Sequence, residues 1–126
     1  MMVEWGKFLL RLAIGGLLLF HGIHKIIHGI GGVQAMLAAH SLPAWIGYGV
    51  YVGEVLAPVA LIVGLRPRIA ALVIAFNMAA AIALAYGGKL FALGMHGGWI
   101  VETPLLYFAG ALAIAMIGGG RIGLKW

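Results

Sequence analysis

Phe20-His21-Gly22-Ile23-His24-Lys25-Ile26-Ile27-His28-Gly29 lies in the second half of an apolar segment, Trp5 to Ile30, that is long enough to cross a bilayer. Ionisable groups are costly to insert in such a segment, yet this one carries His21, His24, Lys25 and His28. At 100° per residue the four fall within an arc of about 100°, one face of a helix. Arg11 lies about 40° from Lys25 on the same side. Lipid cannot solvate this stripe, so it has to face protein or a water-filled cavity. The chain is therefore expected to be a bundle of membrane helices whose other members pack on this face and supply its partners.

Composition agrees. Of 126 residues, 64% are hydrophobic and 9% charged, with a mean hydropathy of +1.13. A soluble domain carries about 25% charged residues. At about 20 residues per spanning helix plus short loops, the length suits four spans in one domain. The expected fold class is all-α, a four-helix transmembrane bundle. The net charge of +5 is no nucleic-acid footprint, because the cations lie at span ends. The chain has no cysteine, which excludes disulfide exchange, thiolate nucleophiles and cysteine-held iron–sulfur clusters within it. Its first apolar run is too long for a cleavable signal peptide and has no small-residue cleavage site in the usual place.

The expected spans cover about 5–29, 44–65, 69–86 and 103–117. Gly15, Gly22 and Gly29 recur at a seven-residue interval beside the polar stripe and suit a packing seam. Gly31 to Pro43 reads as an outer loop, with Gln34–His40 as a short interfacial helix. Arg66-Pro67-Arg68 is a tight basic turn, and Gly87 to Gly98 forms a second outer loop. Thr103-Pro104 reads as an N-cap followed by proline at the first helical position. Gly118-Gly119-Gly120 ends span four and a basic tail follows. One side of the bundle then holds Lys7, Arg11, Arg66, Arg68, Arg121 and Lys125, and the other only Lys25 and Lys89. Positive-inside logic places both termini in the cytoplasm. Trp5, Trp45, Trp99 and Trp126 fall near span ends, as interfacial aromatic belts do.

Glu54 is the sharpest chemical signal, a carboxylate near the centre of span two. A buried carboxylate needs a partner or takes up a proton, so it is either a register-fixing ion pair or a functional group. Pro58 has no N–H for the carbonyl four residues back, that of Glu54 itself. Gly47 and Tyr51 share this face, and together they make a polar notch at mid-depth. By depth at 1.5 Å per residue, His21 lies about 5 Å outward of the midplane, Lys25 about 11 Å outward and Arg11 about 10 Å inward. His21 is the nearest partner by that ruler, with Lys25 and Arg11 competing, and Asn77 of span three completes the network or serves as interhelical glue. Lys25 and His28 also suit snorkelling to the headgroups. His24 and His28 have the i, i+4 spacing of two metal ligands, which His96 and Glu102 could join on the outer side; alone the spacing is weak evidence for a metal or haem. Glu102 equally suits the positive end of span four, and Tyr107 suits packing.

At these residues the sequence resembles the DoxX family of small four-span membrane proteins. Arg11-Leu12 through Phe20-His21-Gly22-Ile23-His24-Lys25 is similar to that family's first helix. Gly53-Glu54-Val55-Leu56 leading to Gly64-Leu65-Arg66-Pro67-Arg68 is similar to its second helix and basic turn. His96-Gly97-Gly98-Trp99 with Glu102, then Gly118-Gly119-Gly120-Arg121, resembles its later motifs. The usual "SLD" after the terminal arginine is here Ile122-Gly123-Leu124, so no role of that aspartate carries over. The resemblance implies a membrane oxidoreductase component, with relatives linked to quinone-coupled sulfur oxidation and to assemblies with other redox proteins. The leading expectation is a quinone-linked oxidoreductase subunit in a bacterial-type inner membrane. Glu54, His21 and Lys25 would carry its chemistry; Arg11, Tyr51, Asn77 and Glu102 would bind ligand; a redox partner protein would supply electrons. The alternatives are a non-catalytic scaffold subunit of a redox complex, an outer-face metal or haem site at His24, His28 and His96, or a small-solute or proton pathway. Glycine-rich spans also suit a homo-oligomer.

Overall fold

A computed structural model of the chain describes residues 1–86 and 102–123. Among the described residues five helices follow one another: α1 (Met2–His28), α2 (Gly31–Ala39), α3 (Ala44–Val63), α4 (Pro67–Tyr86) and α5 (Glu102–Ile117). The described residues contain no strand. α1 packs on α3 and α5, and α4 also packs on α3 and α5, so four helices close into a ring. α2 covers the start of α3 and touches α4, where the His40 ring meets the Leu84 carbonyl at 3.0 Å. α1, α3 and α4 are long and apolar enough to cross a membrane; α5 is a shorter apolar helix.

Leu18, Leu61, Ile74, Ala111 and Ile114 fill the centre of the ring. Large apolar side chains also cover the outside: Leu17, Phe20, Phe76, Leu106 and Met116 are all exposed. A water-soluble bundle would put polar groups there; a bilayer solvates these instead. The chain is an all-α membrane bundle.

The buried edge of α1 is Arg11, Gly15, Leu18 and Gly22, an i, i+4, i+7, i+11 stripe. Gly15 and Gly22 bring α1 against α3. A Cβ on Gly15 would lie 3.0 Å from the Pro58 carbonyl oxygen, and one on Gly22 would overlap the carbonyl of Glu54. Gly29 has a different use from the expected seam. It ends α1 at φ +80, with its N–H bonded to the Lys25 carbonyl at 2.8 Å and open space where a Cβ would be.

α3 is a continuous helical path that changes pitch. It begins as a 3₁₀ helix (Ala44–Tyr48), becomes α-helical (Gly49–Tyr51), widens to a π turn (Val52–Leu56) and returns to α (Ala57–Val63). Pro58 explains the widening: in a regular α-helix its ring would clash with the carbonyl of Glu54 and leave it unbonded. In the π turn the Ala57 N–H bonds five back, to Val52. Gly64 then caps α3 in the left-handed region, and Arg66 (φ +43) turns the chain into Pro67, the first residue of α4.

Arg11 does not reach Glu54. Its side chain, 1% exposed, fans onto backbone carbonyls. Nε donates to Leu61 (2.8 Å), Nη2 to Ile62 (3.0 Å), and Nη1 to Gly119 (3.1 Å) and Ile122. Leu61 and Ile62 lie in the last turn of α3, about 10 Å along the helix from Glu54 at 1.5 Å per residue. The partially negative end of α3 and the chain after α5 are therefore the nearer acceptors for a group this far toward the start of α1. The arginine expected to bind ligand is a clamp that ties three segments together.

Candidate functional site

Glu54 sits inside the π turn, ten residues after Ala44 and nine before Val63, so at mid-depth of α3. Its side chain is 6% exposed. The wider turn and the bare face of Gly22 let α1 lie directly over the Glu54 backbone. Three residues beyond Gly22, on the same edge of α1, Lys25 turns its side chain to the carboxylate. Nζ donates to Oε1 at 2.8 Å and to Oε2 at 2.7 Å. From the other side Asn77 Nδ2 of α4 donates to Oε2 at 3.3 Å. Asn77 comes this close because Gly53 has no side chain: a Cβ there would lie 2.5 Å from Asn77 Cγ. Tyr51 donates its hydroxyl to the Lys25 carbonyl at 3.2 Å and so holds the end of α1 on α3.

The Lys25 side chain is 29% exposed. An ammonium has three donors, and Glu54 takes two of them. Lys25, Glu54 and Asn77 all line a cavity of about 440 Å³. Its walls are apolar: Met36 and Leu37 from α2, Ile46 and Val50 from α3, Phe76 and Leu84 from α4. Phe76 is 77% exposed, so the rim opens on the outer surface of the bundle. Such a cavity accommodates a mostly apolar ring compound and offers it one cationic donor, one amide and one carboxylate at the floor.

The remaining residues singled out in the sequence lie elsewhere. His21, nearest to Glu54 by the depth ruler, is exposed and packs edge-to-face on Tyr107 of α5, with ring centroids 5.9 Å apart. It is one residue before Gly22, hence about 100° around the helix from the edge that meets α3. His24 and His28 stack on each other at 4.2 Å, exposed at the C-terminal end of α1. The polar stripe thus splits: Lys25 turns inward and the three imidazoles do not. Glu102 is exposed in the first turn of α5, away from the cavity. His96 lies outside the described residues. Among the described residues no three His, Asp or Glu converge as a metal site would require.

Sequence reasoning missed α2 as a wall and Gly53 as the clearance that admits Asn77; it placed Gly22 in a packing seam without naming Glu54 as the backbone that it meets. The signal for α2 was its apolar Val33, Met36 and Leu37, at helical spacing. A family model described as DoxX matches residues 6–87, from α1 to the end of α4, which takes in Lys25, Glu54 and Asn77 and leaves α5 outside. No curated protein and no solved structure matches the chain significantly.

Proposed function

The chain belongs to the DoxX family, and from that premise we propose that this membrane protein is a quinone-linked oxidoreductase subunit whose site is the cavity over Glu54. The observation that carries the reading is the Lys25–Glu54–Asn77 floor beneath apolar walls at mid-depth of a membrane helix. A bound quinone would supply two-electron, two-proton chemistry, with the electrons drawn from a reduced partner protein. Lys25 Nζ presents its free donor to a ring carbonyl oxygen and so fixes the ring's orientation. Glu54 holds the ammonium in place and is the proton-carrying group within reach. Asn77 fixes the carboxylate rotamer from the opposite side. The wall residues exclude water around these groups and strengthen each interaction. In the same reading the whole chain is one domain of a bacterial-type inner membrane, with both termini cytoplasmic, because the cations gather at the end where α1 begins.

A second reading is a non-catalytic scaffold, favoured by one observation: among the described residues every buried side-chain nitrogen and oxygen already has a protein partner. Fluorescence titration of the purified protein with a short-chain quinone, read beside a melting curve, separates the two. Ala81 of α4 also lines the cavity, so the quinone reading expects saturable binding that weakens at least tenfold in Glu54→Gln and in the cavity-filling Ala81→Phe, while both variants still insert. Absence of saturable binding to the wild-type chain would remove it. A change in melting alone in Glu54→Gln leaves the scaffold.

A further inference from the structure

At the opposite end of the bundle from α2, a second cavity of about 560 Å³ lies between the start of α1, the α3–α4 turn and the chain after α5. Four cations line it: Lys7, Arg66, Arg68 and Arg121. Glu4 is the one carboxylate among the described lining residues, and its oxygens are engaged. Oε1 accepts the Arg121 backbone N–H at 2.8 Å, and Oε2 lies 3.8 Å from Lys7 Nζ. Among the described residues, no carboxylate lies within ion-pair distance of the Arg66, Arg68 or Arg121 guanidinium groups.

Glycine backbone lines one side of the cavity. Gly118 (φ +86) lets the Arg68 guanidinium lie along the chain, where a Cβ would stand 3.1 Å from Nη2. Gly119 seats against the Pro67 ring, and Gly120 (φ +83) passes beside Lys7 and Glu4. Cations that served only to orient the bundle would spread around its rim and point outward. These four converge on one concavity. α4 is 20 residues long, about 30 Å at 1.5 Å per residue, which equals the hydrocarbon thickness. The start of α4, with Arg66 just before it and Arg68 in its first turn, therefore lies at the headgroup level.

We propose that this cavity binds the phosphate headgroup of an anionic phospholipid. The four cations supply the charge. The arginine forks pair two phosphate oxygens at once, and the glycines let the backbone after α5 pack directly against Arg68, Pro67 and Lys7. Lipids of this kind approach from the bilayer plane, which this cavity borders, and basic pockets between membrane helices are suited to them. The site is independent of the Glu54 cavity and stands or falls without it.

The test uses the full chain in neutral detergent, with native mass spectrometry and thermal melting. Phosphatidylglycerol, phosphatidylcholine and inorganic phosphate are the three probes. Phosphatidylglycerol is expected to be retained at one per chain and to raise the melting temperature, while phosphatidylcholine does neither. Each cation near the membrane surface is worth about fivefold in affinity. Arg66→Gln with Arg68→Gln should thus weaken phosphatidylglycerol binding about 25-fold, and Arg121→Gln alone about fivefold. The single variant decides the matter if the double one does not fold. Equal retention of the two lipids, or unchanged affinity in the variants that fold, overturns the proposal. Equal protection by millimolar inorganic phosphate would also overturn it, because the site would then be one for a soluble anion.

Discussion

Lys25 and Glu54 show what a depth ruler can and cannot find. The ruler compares Cα heights, and on that scale His21 is the better partner for Glu54. Two things reverse the order. A lysine stem spans several ångströms, so its ammonium reaches a plane well below its own Cα. The direction in which a side chain leaves the helix then decides: Lys25 shares the Gly15–Gly22 edge that meets α3, and His21 does not. Glu54 itself was legible as an intramembrane carboxylate, while its partner depended on which edge of α1 the glycines press against α3. The energetics of the pair give a prediction. Lys25→Met leaves a carboxylate of 6% side-chain exposure without its cation, a loss of about 1–3 kcal/mol. Removing both charges, in Lys25→Met with Glu54→Leu, should restore much of that stability, because no uncompensated charge is left in the helix contact. Melting of the two singles and the double in lipid nanodiscs closes the cycle. A double variant as unstable as the sum of the singles would mean that the two groups do not interact.

At the scale of elements, helix positions were readable from hydropathy, and helix shape was not. Pro58 announced a fault in α3, but only the three-dimensional fit of α1 shows that the fault is a widened turn carrying Glu54. The same holds for the glycines of α1. Their seven-residue interval suggested one seam; in the structure Gly15 and Gly22 meet α3, while Gly29 is a helix end with a left-handed φ. α2 was partly legible: the expected helix over Gln34–His40 begins earlier, at Gly31, because its apolar residues have α3 and α4 to cover. The close approach of α1 to α3 makes a sharp comparison. Gly22→Ala would place a Cβ against the Glu54 carbonyl, and backbone cannot step aside as a side chain end can. The helices must part, at about 1–3 kcal/mol for overpacking, and the Lys25–Glu54 contact should lengthen with them. Gly16→Ala, six residues earlier, meets nothing within 4 Å and should be neutral or slightly stabilising. Melting curves of the two variants decide it, and equal effects would deny that α1 and α3 touch as described.

For the molecule as a whole, the bundle's asymmetry is set by its ends. One end gathers Lys7, Arg66, Arg68 and Arg121 around the chain that follows α5, with Arg11 clamped just above them. The other carries α2 and the stacked His24 and His28. Among the described residues this distribution was legible in the sequence, since it needs only the order of spans and the positions of Lys and Arg; Lys89 and Lys125 lie outside them. The clamp was not, because carbonyl acceptors carry no residue signature. Cations in short loops resist translocation, so the Lys7–Arg66–Arg121 end should stay in the cytoplasm. The chain has no cysteine, so single introduced thiols report the side directly. Ser41, between α2 and α3, and Met2, at the start of α1, are both exposed and lie at opposite ends. In right-side-out vesicles a membrane-impermeant maleimide should label Ser41→Cys within minutes and leave Met2→Cys unlabelled until detergent is added. The reverse pattern would place the basic end outside, and labelling of both thiols from one side would mean that α1 does not cross the membrane.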